Sequence, residues 1–375
     1  MSKKYSVFIT VLFCGVLAAF FFAVLLCPKR EFSETENRYL QTFPKFNIET
    51  LKTGTFMSEF ETFVTDQFPG RDSWVAAKCV MERATGKKEN NGIYFCKEDT
   101  LIARLDDPDP QRWSENLSYV QALTEKTDLP VYFSLIPGAG YIWEDRLPEN
   151  APNADQAKLI AEAQAAVPGA HWIDLISPLM AHKEEPIFYR TDHHWTSLGA
   201  KYAYEAIAPA MGLTVPDADW LDQPEVVSDS FFGTNWSSSG VRWVAPDEIW
   251  RYAPDDGITV TSYATGVPEE GALYHPEALE KKDKYTYFLG GNQPLCVIKN
   301  ENLTDAPKIL VVRDSYSDSL APFLAQSCAE VHLFDVRYNL NSVSQYAADN
   351  DIDAIVVLYS VANFVTENNI FVLSR

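Results

Sequence analysis

The stretch Lys308-Ile-Leu-Val-Val-Arg-Asp-Ser-Tyr-Ser317 joins a continuous apolar run to a serine-containing turn. A central strand of a parallel sheet needs such a run, because both of its faces are covered. Residues 320–327 have a helical pattern, so Ser315 falls between a strand and a helix. The stretch therefore predicts a parallel α/β sheet with Ser315 at its carboxyl edge.

Helix and strand patterns alternate through most of the remaining chain. Strands are predicted at residues 131–136, 171–176, 331–334 and 354–359. Helices are predicted at residues 112–126, 159–167, 198–208, 320–327 and 342–348. Residues 213–285 interrupt the alternation with many Pro, Asp, Gly and Ser residues, and we expect an irregular or β-rich insertion there. The alternation predicts a sheet with helices on both faces.

The N-terminus has a different character. Residues 5–27 carry no charged side chain, and this length of apolar sequence can cross a bilayer as a helix. The exit Leu25-Leu-Cys-Pro28 is a poor cleavage site, so an uncleaved anchor is favoured over a cleaved signal peptide. We expect a single-pass protein of the cell membrane, divided into a cytoplasmic tip at 1–4, a transmembrane anchor at 5–27, a stalk at 28–55 and an extracytoplasmic catalytic domain at 56–375.

Two helices are predicted after the stalk. A phenylalanine repeat indicates a helix at about 55–67, which Pro69-Gly70 ends. Residues 71–82 predict a second helix. Its expected inward side chains are Trp74, Ala77 and Val80 or Met81.

Composition limits the classes of ligand. The 375-residue chain is 46% hydrophobic, which predicts a sizeable core, and its formal net charge is −21. Neither nucleic acid nor anionic lipid is therefore an expected partner, because phosphate binding needs clustered Lys and Arg. The six cysteines show no zinc-binding spacing. A Cys79–Cys96 disulfide and separate buried thiols both remain open.

Ser315 occupies a position that suits a nucleophile. A serine at a strand-to-helix turn lies at the top of the sheet, where helix N–H groups supply a positive dipole end. That environment can stabilise an oxyanion that develops in a reaction. The alternative is that Asp314, Ser315 or Ser317 only caps the helix, which is a common arrangement.

A second chemical signal is the stretch Tyr189-Arg-Thr-Asp-His-His-Trp-Thr196. Residues i and i+2 of an extended segment share one side, so Asp192 could accept from His194 Nδ1 and leave Nε2 free as a general base. His193 is expected on the other side, in a structural role. The Asp-His-His set could also bind a metal. Adjacent histidine side chains diverge, however, and no HExxH motif or second acidic pair supports a metal site.

Five short sequence blocks occur in order along the chain. They are Glu36-Asn-Arg-Tyr-Leu40, Asp66-Gln-Phe-Pro-Gly-Arg-Asp72, Thr191-Asp-His-His-Trp-Thr196, Phe232-Gly-Thr234 and Val312-Arg-Asp-Ser-Tyr316. This combination resembles the DHHW family of bacterial proteins, from about residue 30 to the C-terminus. That family is similar to the SGNH-hydrolase-like domains of alginate and other polysaccharide O-acetyltransferases. The resemblance implies an SGNH-hydrolase-like, flavodoxin-like parallel sheet in permuted chain order, because the Asp-x-His pair precedes the serine.

The resemblance also implies a catalytic triad. Ser315 would be the nucleophile, His194 the base and Asp192 the group that orients the base, which are the roles that the spacing argument assigns. The usual glycine before Asp-Ser is Arg313 here, so a tight turn is not guaranteed. No metal or organic cofactor is expected.

Further candidate residues depend on position. Besides the Ser315 backbone N–H, the candidate oxyanion donors are Tyr359, Asn363 and Asn292, in loops near the sheet edge. The candidate substrate contacts are Trp236, Trp243 and Arg313. Tryptophan can stack on a sugar ring, although burial in the core is the alternative for any one of them.

The sequence thus predicts an extracytoplasmic O-acetyltransferase that modifies hydroxyls of a cell-surface polysaccharide through an acetyl-serine intermediate. Because acetyl-CoA is absent outside the cell, the resemblance implies a membrane-bound acyltransferase as the acetyl donor. Three alternatives remain open. They are a carbohydrate esterase with the same triad, a metal-dependent phosphoesterase and a non-catalytic polysaccharide-binding or assembly subunit.

Overall fold

A computed structural model describes residues 3–303 and 305–375. The helices are α1 Lys3–Leu26, α2 Ile48–Lys52, α3 Thr55–Asp66, α4 Arg71–Ala84, α5 Pro110–Lys126, α6 Ala139–Ile142, α7 Gln156–Ala166, α8 Ile176–Ala181, α9 Ser197–Ala210, α10 Thr234–Ser239, α11 Ser317–Leu324, α12 Val343–Asp349 and α13 Val361–Thr366. The strands are β1 Phe32–Ser33, β2 Arg38–Tyr39, β3 Glu89–Asn90, β4 Ile93–Phe95, β5 Leu101–Ala103, β6 Val131–Ile136, β7 His171–Trp172, β8 Glu225–Phe231, β9 Asp247–Arg251, β10 Ile258–Ser262, β11 Glu269–Gly271, β12 Leu295–Asn300, β13 Lys308–Arg313, β14 Glu330–Phe334 and β15 Ala354–Ser360. Short 3₁₀ helices lie at Glu144–Arg146, Asp219–Leu221, Pro276–Glu280, Lys284–Tyr287 and Ile370–Ser374.

An eight-stranded sheet has the order β11-β10-β12-β14-β13-β15-β6-β7. The strands from β14 to β7 are parallel, and β12, β10 and β11 continue the sheet by antiparallel pairing. Val312 of β13 pairs with Phe334 on one side and with Val357 on the other. Because parallel strands end at one edge, the turn after β13 lies between the ends of β14 and β15. The chain is a mixed α/β protein with a large, mostly parallel sheet.

Alternate residues of β13 enter two hydrophobic clusters. Ile309 and Val311 belong to one cluster, Leu310 and Val312 belong to the other, and all four are fully buried. This division follows from the two-residue period of a strand. Both faces of β13 are covered, as the continuous apolar run predicts.

Most predicted strands and helices are confirmed, and β7 is the exception. The predicted strands at 131–136, 331–334 and 354–359 correspond to β6, β14 and β15. The strand predicted at 171–176 is wrong beyond Trp172. Asp174 Oδ1 accepts from the N–H groups of Ile176 and Ser177, at 2.9 and 3.2 Å, and this turn starts α8.

The insertion at 213–285 is β-rich, as predicted. β8 and β9 form an antiparallel pair with two register shifts, and α10 lies between them in the chain. β10 and β11 extend the edge of the main sheet. The insertion therefore belongs partly to the central sheet.

The chain divides into two compact units. The larger one comprises Lys88–Ser239 and Trp243–Arg375, and the smaller one comprises the residues up to Lys87 with Gly240–Arg242. This division lies about thirty residues after the boundary predicted at residue 56. Cys79 is in the smaller unit, where it is fully buried, and Cys96 is in the larger unit.

The residues predicted as a stalk, 28–55, fold within the smaller unit. Arg38 pairs with Asp66 of α3 at 2.5 Å, and the ring of Phe43 lies 5.4 Å from that of Phe63. Ion pairs and aromatic packing therefore hold this segment against α3.

α1 corresponds to the predicted anchor. Among the described residues it is the one helix that is long and apolar enough to cross a membrane, and it buries no residue. This agrees with a single-pass membrane anchor by length and composition.

The predicted orientation of α4 is wrong. Trp74, Val80 and Met81 are 55%, 52% and 69% exposed, and the buried residue of the helix is Cys79. At the start of α4, Arg71 pairs with Glu36 and Asp72 pairs with Arg30. The inward side of α4 therefore combines these ion pairs with Val75, Ala76 and Cys79, and further apolar residues are left on the outward side.

Candidate active site

Three side chains from separate parts of the chain meet at the carboxyl edge of the sheet. His194 Nε2 lies 2.7 Å from Ser315 Oγ, and His194 Nδ1 lies 2.6 Å from Asp192 Oδ1. Ser315 is in the turn after β13, whereas the other two precede α9. All three are nearly buried, with 3% of Asp192, 5% of His194 and 7% of Ser315 exposed. The distances suit a hydroxyl, a base and an orienting carboxylate.

Asp314 holds the turn after β13. Its Oδ1 accepts from the Tyr316 N–H at 3.0 Å, and its Oδ2 accepts from the backbone N–H and hydroxyl of Ser360 at 2.8 and 2.7 Å. These bonds connect the turns after β13 and β15. The turn forms although Arg313 replaces the usual glycine. Ser315 Oγ contacts the His194 ring instead of capping α11, which was the alternative.

Residues of the insertion fix Asp192. Its Oδ2 accepts from the backbone N–H and the hydroxyl of Thr234 at 2.7 and 2.9 Å. Gly233 is needed beside it, because a Cβ there would overlap the Asp192 side chain. Burial opposes ionisation, but the imidazoles of His193 and His194 and the bonds from His194 and Thr234 hold the pKa of Asp192 well below its usual range. The carboxylate is therefore ionised and directed at His194.

Asp247 of β9 anchors the same loop from another side. Its Oδ2 accepts from the backbone N–H and the hydroxyl of Thr191 at 2.8 and 2.6 Å. Its Oδ1 accepts from the Arg190 N–H at 3.1 Å. The sequence did not single out Asp247, because a lone aspartate in an irregular segment carries no pattern.

The extended-loop prediction placed His193 on the opposite side from His194, and this prediction is wrong. The two ring centroids are 3.8 Å apart, and His193 Nδ1 lies 2.7 Å from Thr234 Oγ1. The Tyr189 N–H donates to the His194 carbonyl at 3.2 Å, so the loop doubles back and strict alternation fails. The candidate metal-ligand atoms of Asp192, His193 and His194 lie within 4.8 Å of one another. Both ring nitrogens of His194 are nevertheless engaged with Asp192 and Ser315.

Tyr285 is a residue that sequence reasoning missed. Its ring stacks on the His194 imidazole, with centroids 3.9 Å apart and 10° between the planes. Its hydroxyl donates to the Ser315 carbonyl at 3.0 Å and lies 3.1 Å from Ser319 Oγ. Burial raises the pKa of Tyr285, so the hydroxyl stays a donor. One buried side chain thus couples the position of the base to that of the serine.

Trp195 and Tyr316 connect the histidine loop to the turn after β13. Trp195 Nε1 donates to the Tyr316 carbonyl at 2.9 Å and lies 3.0 Å from Ser319 Oγ. The Tyr316 hydroxyl donates to the His193 carbonyl. These bonds fix the loop that carries His194 relative to Ser315.

Changing Tyr285 is expected to lower turnover by misplacing His194. Tyr285→Phe keeps the stacked ring and loses the hydroxyl contacts with the Ser315 carbonyl and Ser319 Oγ, a loss of about 1 kcal/mol or roughly fivefold in rate. Tyr285→Leu also loses the ring, and a misplaced base costs about 10²-fold. The measurement is kcat and KM on an activated aryl acetate, with kcat expected to fall and KM to stay. The matched control is Tyr287→Leu, a buried tyrosine of the same turn. Equal losses of kcat for the two leucine variants would contradict a positioning role.

Two of the candidate oxyanion side chains are wrong by position. Tyr359 is fully buried in the hydrophobic cluster that contains Leu310, whereas Tyr316 belongs to the cluster on the other face of the sheet. Asn363 Nδ2 donates to Asp314 Oδ2 at 2.7 Å, so this amide supports the turn.

Asn292 has a different environment. Its Oδ1 accepts from Arg313 Nη1 at 3.3 Å and from Arg337 Nη2 at 2.9 Å. Two guanidinium groups thus fix the amide oxygen, which leaves the amide nitrogen on the opposite side. Asn292 itself is exposed.

The three candidate substrate contacts also differ. Trp236 is half-buried, and Lys282 Nζ lies 4.7 Å from the centroid of its ring. Trp243 is 39% exposed. Arg313 is wrong as a substrate contact, because it is fully buried and its Nη1 lies 2.8 Å from Asp318 Oδ1.

A cleft of about 80 Å³ reaches one of the three side chains, Asp192, and its lining includes Arg104, Gln156, Asp192, His193, Tyr316 and Ser360. A larger cavity of about 410 Å³ is lined by other residues, among them Trp143, Arg146, Arg190 and Trp250. Of these two cavities, the small cleft is the one whose lining includes Asp192 and His193.

Comparisons with solved structures agree with the fold. A DHHW family protein of Eubacterium siraeum DSM 15702 has a TM-score of 0.64 at 24% identity, over 76% of this chain and 95% of that one. Bacillus cereus PatB1, solved with a sulfonyl adduct, has a TM-score of 0.63 at 20% identity, over 76% of this chain and 98% of that one. At these identities the likeness shows the fold alone.

Sequence comparisons show the family. A probable alginate O-acetylase AlgJ of Pseudomonas syringae pv. tomato is 27% identical over 194 residues, which are 47% of this chain and 49% of that protein. The chain thus spans about half the length of the curated relatives it matches. The family model described as DHHW protein matches residues 36–124 and 115–334, which together are most of the chain. The chain therefore belongs to the DHHW protein family.

Proposed function

We propose that this protein is a serine-dependent O-acetyltransferase that acts on hydroxyls of a cell-surface polysaccharide. The observation that carries the proposal is the hydrogen-bonded series Asp192–His194–Ser315, with distances of 2.6 and 2.7 Å. The similarity to proteins named as alginate O-acetylases supports acetyl transfer to a polysaccharide as the reaction class.

The mechanism has two matched halves. Ser315 Oγ attacks the acetyl carbonyl of the donor while its proton passes to His194 Nε2, and the leaving group then takes that proton. The product of this half is acetyl-Ser315. In the second half a sugar hydroxyl attacks the ester, its proton passes to His194, and the proton returns to Ser315 Oγ. Asp192 stabilises the imidazolium in both halves.

Oxyanion stabilisation is assigned to two donors. The Ser315 backbone N–H is one, because the serine lies in the turn two residues before α11 begins. The amide nitrogen of Asn292 is the other, since Arg313 and Arg337 hold its oxygen. Donors fixed in this way cost little reorganisation when charge develops.

We propose that the sheet is that of a permuted SGNH-hydrolase-like fold, and its strand order supports this proposal. If β13 is counted first, then β14, β13, β15, β6 and β7 have the flavodoxin-like order 2-1-3-4-5. The fourth and fifth strands of this order, β6 and β7, precede the other three in the amino-acid sequence. Ser315 follows the first strand, where the strand order reverses and ligands bind in such sheets.

The location and the donor follow from the anchor. α1 would hold the protein in the cell membrane with the remainder outside the cytoplasm, where acetyl-CoA is absent. A membrane-bound acyltransferase would then supply the acetyl group to Ser315. The triad chemistry itself needs no metal or organic cofactor.

The test is to trap the acetyl group. The full chain is incubated with an activated aryl acetate, with and without alginate oligosaccharides as acceptor, and peptides are analysed by mass spectrometry. We expect an acetyl ester on Ser315, none on the buried neighbour Ser317, and acetylated oligosaccharide when the acceptor is present. The reaction should persist in a chelator, unlike that of a metal-dependent phosphoesterase.

The other outcomes identify the alternatives. Release of acetate without transfer to any glycan would indicate an esterase that uses the same residues. A protein that binds the oligosaccharide and never acquires an acetyl group on Ser315 would be a non-catalytic subunit, and the proposal would be rejected.

A further inference from the structure

The exposed side of α4 is apolar, which is unusual for a helix in contact with water. On a helical projection, Trp74, Ala77, Val80, Met81 and Ala84 share one side, and all five are exposed. Ser73 and Lys78 are the polar members of that side. A surface helix normally directs its charged face to solvent. We call this surface the α4 apolar face, and its composition indicates contact with an environment other than water.

The contacts of α1 indicate which covering this is. Phe20 of α1 stacks on Phe68 with ring centroids 5.2 Å apart, and its ring lies 6.4 Å from that of Trp74. Phe20 lies six residues before the end of α1 at Leu26, which is about 9 Å along a helix that rises 1.5 Å per residue. If α1 spans a bilayer, the start of α4 is therefore at the depth of the lipid interface.

Residue types and charge agree with that depth. Tryptophan is enriched at membrane interfaces, and Lys and Arg beside an apolar face bind lipid headgroups. Lys78 and Lys87 lie in or just after α4 and are exposed, with their ammonium groups 3.7 and 3.3 Å from the Glu82 carboxylate. Residues 28–87 contain nine Lys or Arg and nine Asp or Glu, whereas the whole chain has a net charge of −21. The net negative charge that would repel an anionic membrane is thus carried by residues outside 28–87.

We propose that the α4 apolar face lies in the headgroup region of the membrane that α1 spans. α1 and α4 would then form a two-point attachment that fixes the smaller unit against the lipid. The proposal rests on the membrane anchor of the proposed function, and it is independent of the triad.

The experiment uses p-benzoylphenylalanine, a photo-crosslinking residue, in the full chain reconstituted into pure-lipid nanodiscs. It replaces Trp74 or Met81 in the α4 apolar face, exposed Phe13 in α1 as the anchor control, or exposed Tyr338 as the solvent control. After irradiation, mass spectrometry detects lipid adducts. We expect adducts at positions 13, 74 and 81 and none at 338. Circular dichroism of each variant shows whether it has folded.

Each outcome has one meaning. Adducts at position 13 without adducts at 74 and 81, in folded variants, would overturn the proposal and leave the anchor standing. A lack of adducts at position 13 would reject the anchor and the proposal together. In cells, crosslinks from 74 and 81 to a protein instead of lipid would show that a partner covers the face, and would also overturn it. Acetylation of Ser315 is measured in the separate trapping experiment. A failure of the proposed acetyltransferase function can therefore be distinguished from a failure of the proposed membrane contact of α4.

Discussion

Asp192→Asn is expected to lower kcat about 10⁴-fold, as loss of the orienting carboxylate does in other triads. Both carboxylate oxygens accept two hydrogen bonds: Oδ1 from the backbone N–H and Nδ1 of His194, and Oδ2 from Thr234. An amide NH₂ at either oxygen position would face a donor. The histidine would lose its fixed tautomer and the charge that stabilises the imidazolium.

The measurement is kcat on an activated aryl acetate. The control is Asp174→Asn, an exposed aspartate that also accepts from backbone N–H groups, and its kcat should stay within about twofold because surface changes are mild. A folded Asp192→Asn variant that keeps more than a tenth of the activity would remove Asp192 from the mechanism.

The same variant has a signature in stability. Because the pKa of Asp192 is held below its usual range, its ionisation stabilises the fold above the unfolded-state pKa of about 3.9. That contribution is lost as pH falls through the lower folded-state pKa. The stability difference between the parent protein and Asp192→Asn should therefore shrink below about pH 4 in urea unfolding.

Sequence patterns were sufficient to predict the positions of those side chains that regular secondary structure or short spacing determines. Ser315 follows an apolar run, and a strand end places it at the sheet edge without knowledge of the rest of the fold. Asp192 and His194 were paired by their i, i+2 spacing, and the pair forms at 2.6 Å. The pairing was predicted from an extended loop, and it forms although the loop doubles back.

Sequence patterns did not predict the positions of side chains whose contacts come from irregular segments. His193 lies beside His194 because Thr234 and the doubled-back loop hold it there. Tyr285 comes from a short 3₁₀ helix thirty residues before Ser315, and nothing in its local sequence indicates a stack on the base. Arg313 was expected to contact the substrate, but it is fully buried. Its burial depends on Asp318, which the turn brings back against it.

Arg313→Met is expected to destabilise the fold by about 3–5 kcal/mol at pH 8, because removing one partner of a buried ion pair leaves the other charge unpaired. Arg313 and Asp318 are 0% and 1% exposed. In the described part of the chain, Nε and Nη2 of Arg313 have no hydrogen-bond acceptor, so Asp318 is the main compensation for its burial. The double variant Arg313→Met with Asp318→Leu should recover most of the loss. Lys158→Met is the control, since its exposed pair with Glu162 contributes at most about 1 kcal/mol.

The pKa of Asp318 is shifted in the opposite direction to that of Asp192, yet the loss caused by Arg313→Met also grows as pH rises. Burial raises the pKa of Asp318 to about 6, although the charge of Arg313 lowers it. His194 and Arg337 also lower this pKa, and Asp335 raises it. A carboxyl with a raised folded-state pKa lowers stability as pH rises from about 4 through 6, because the native state binds the proton more tightly. Without Arg313 that pKa rises further, so the variant can keep Asp318 protonated near pH 5. Urea unfolding should show a small loss at pH 5 that grows toward pH 8, and a loss that is larger at pH 5 would show that Arg313 does not stabilise the fold through Asp318.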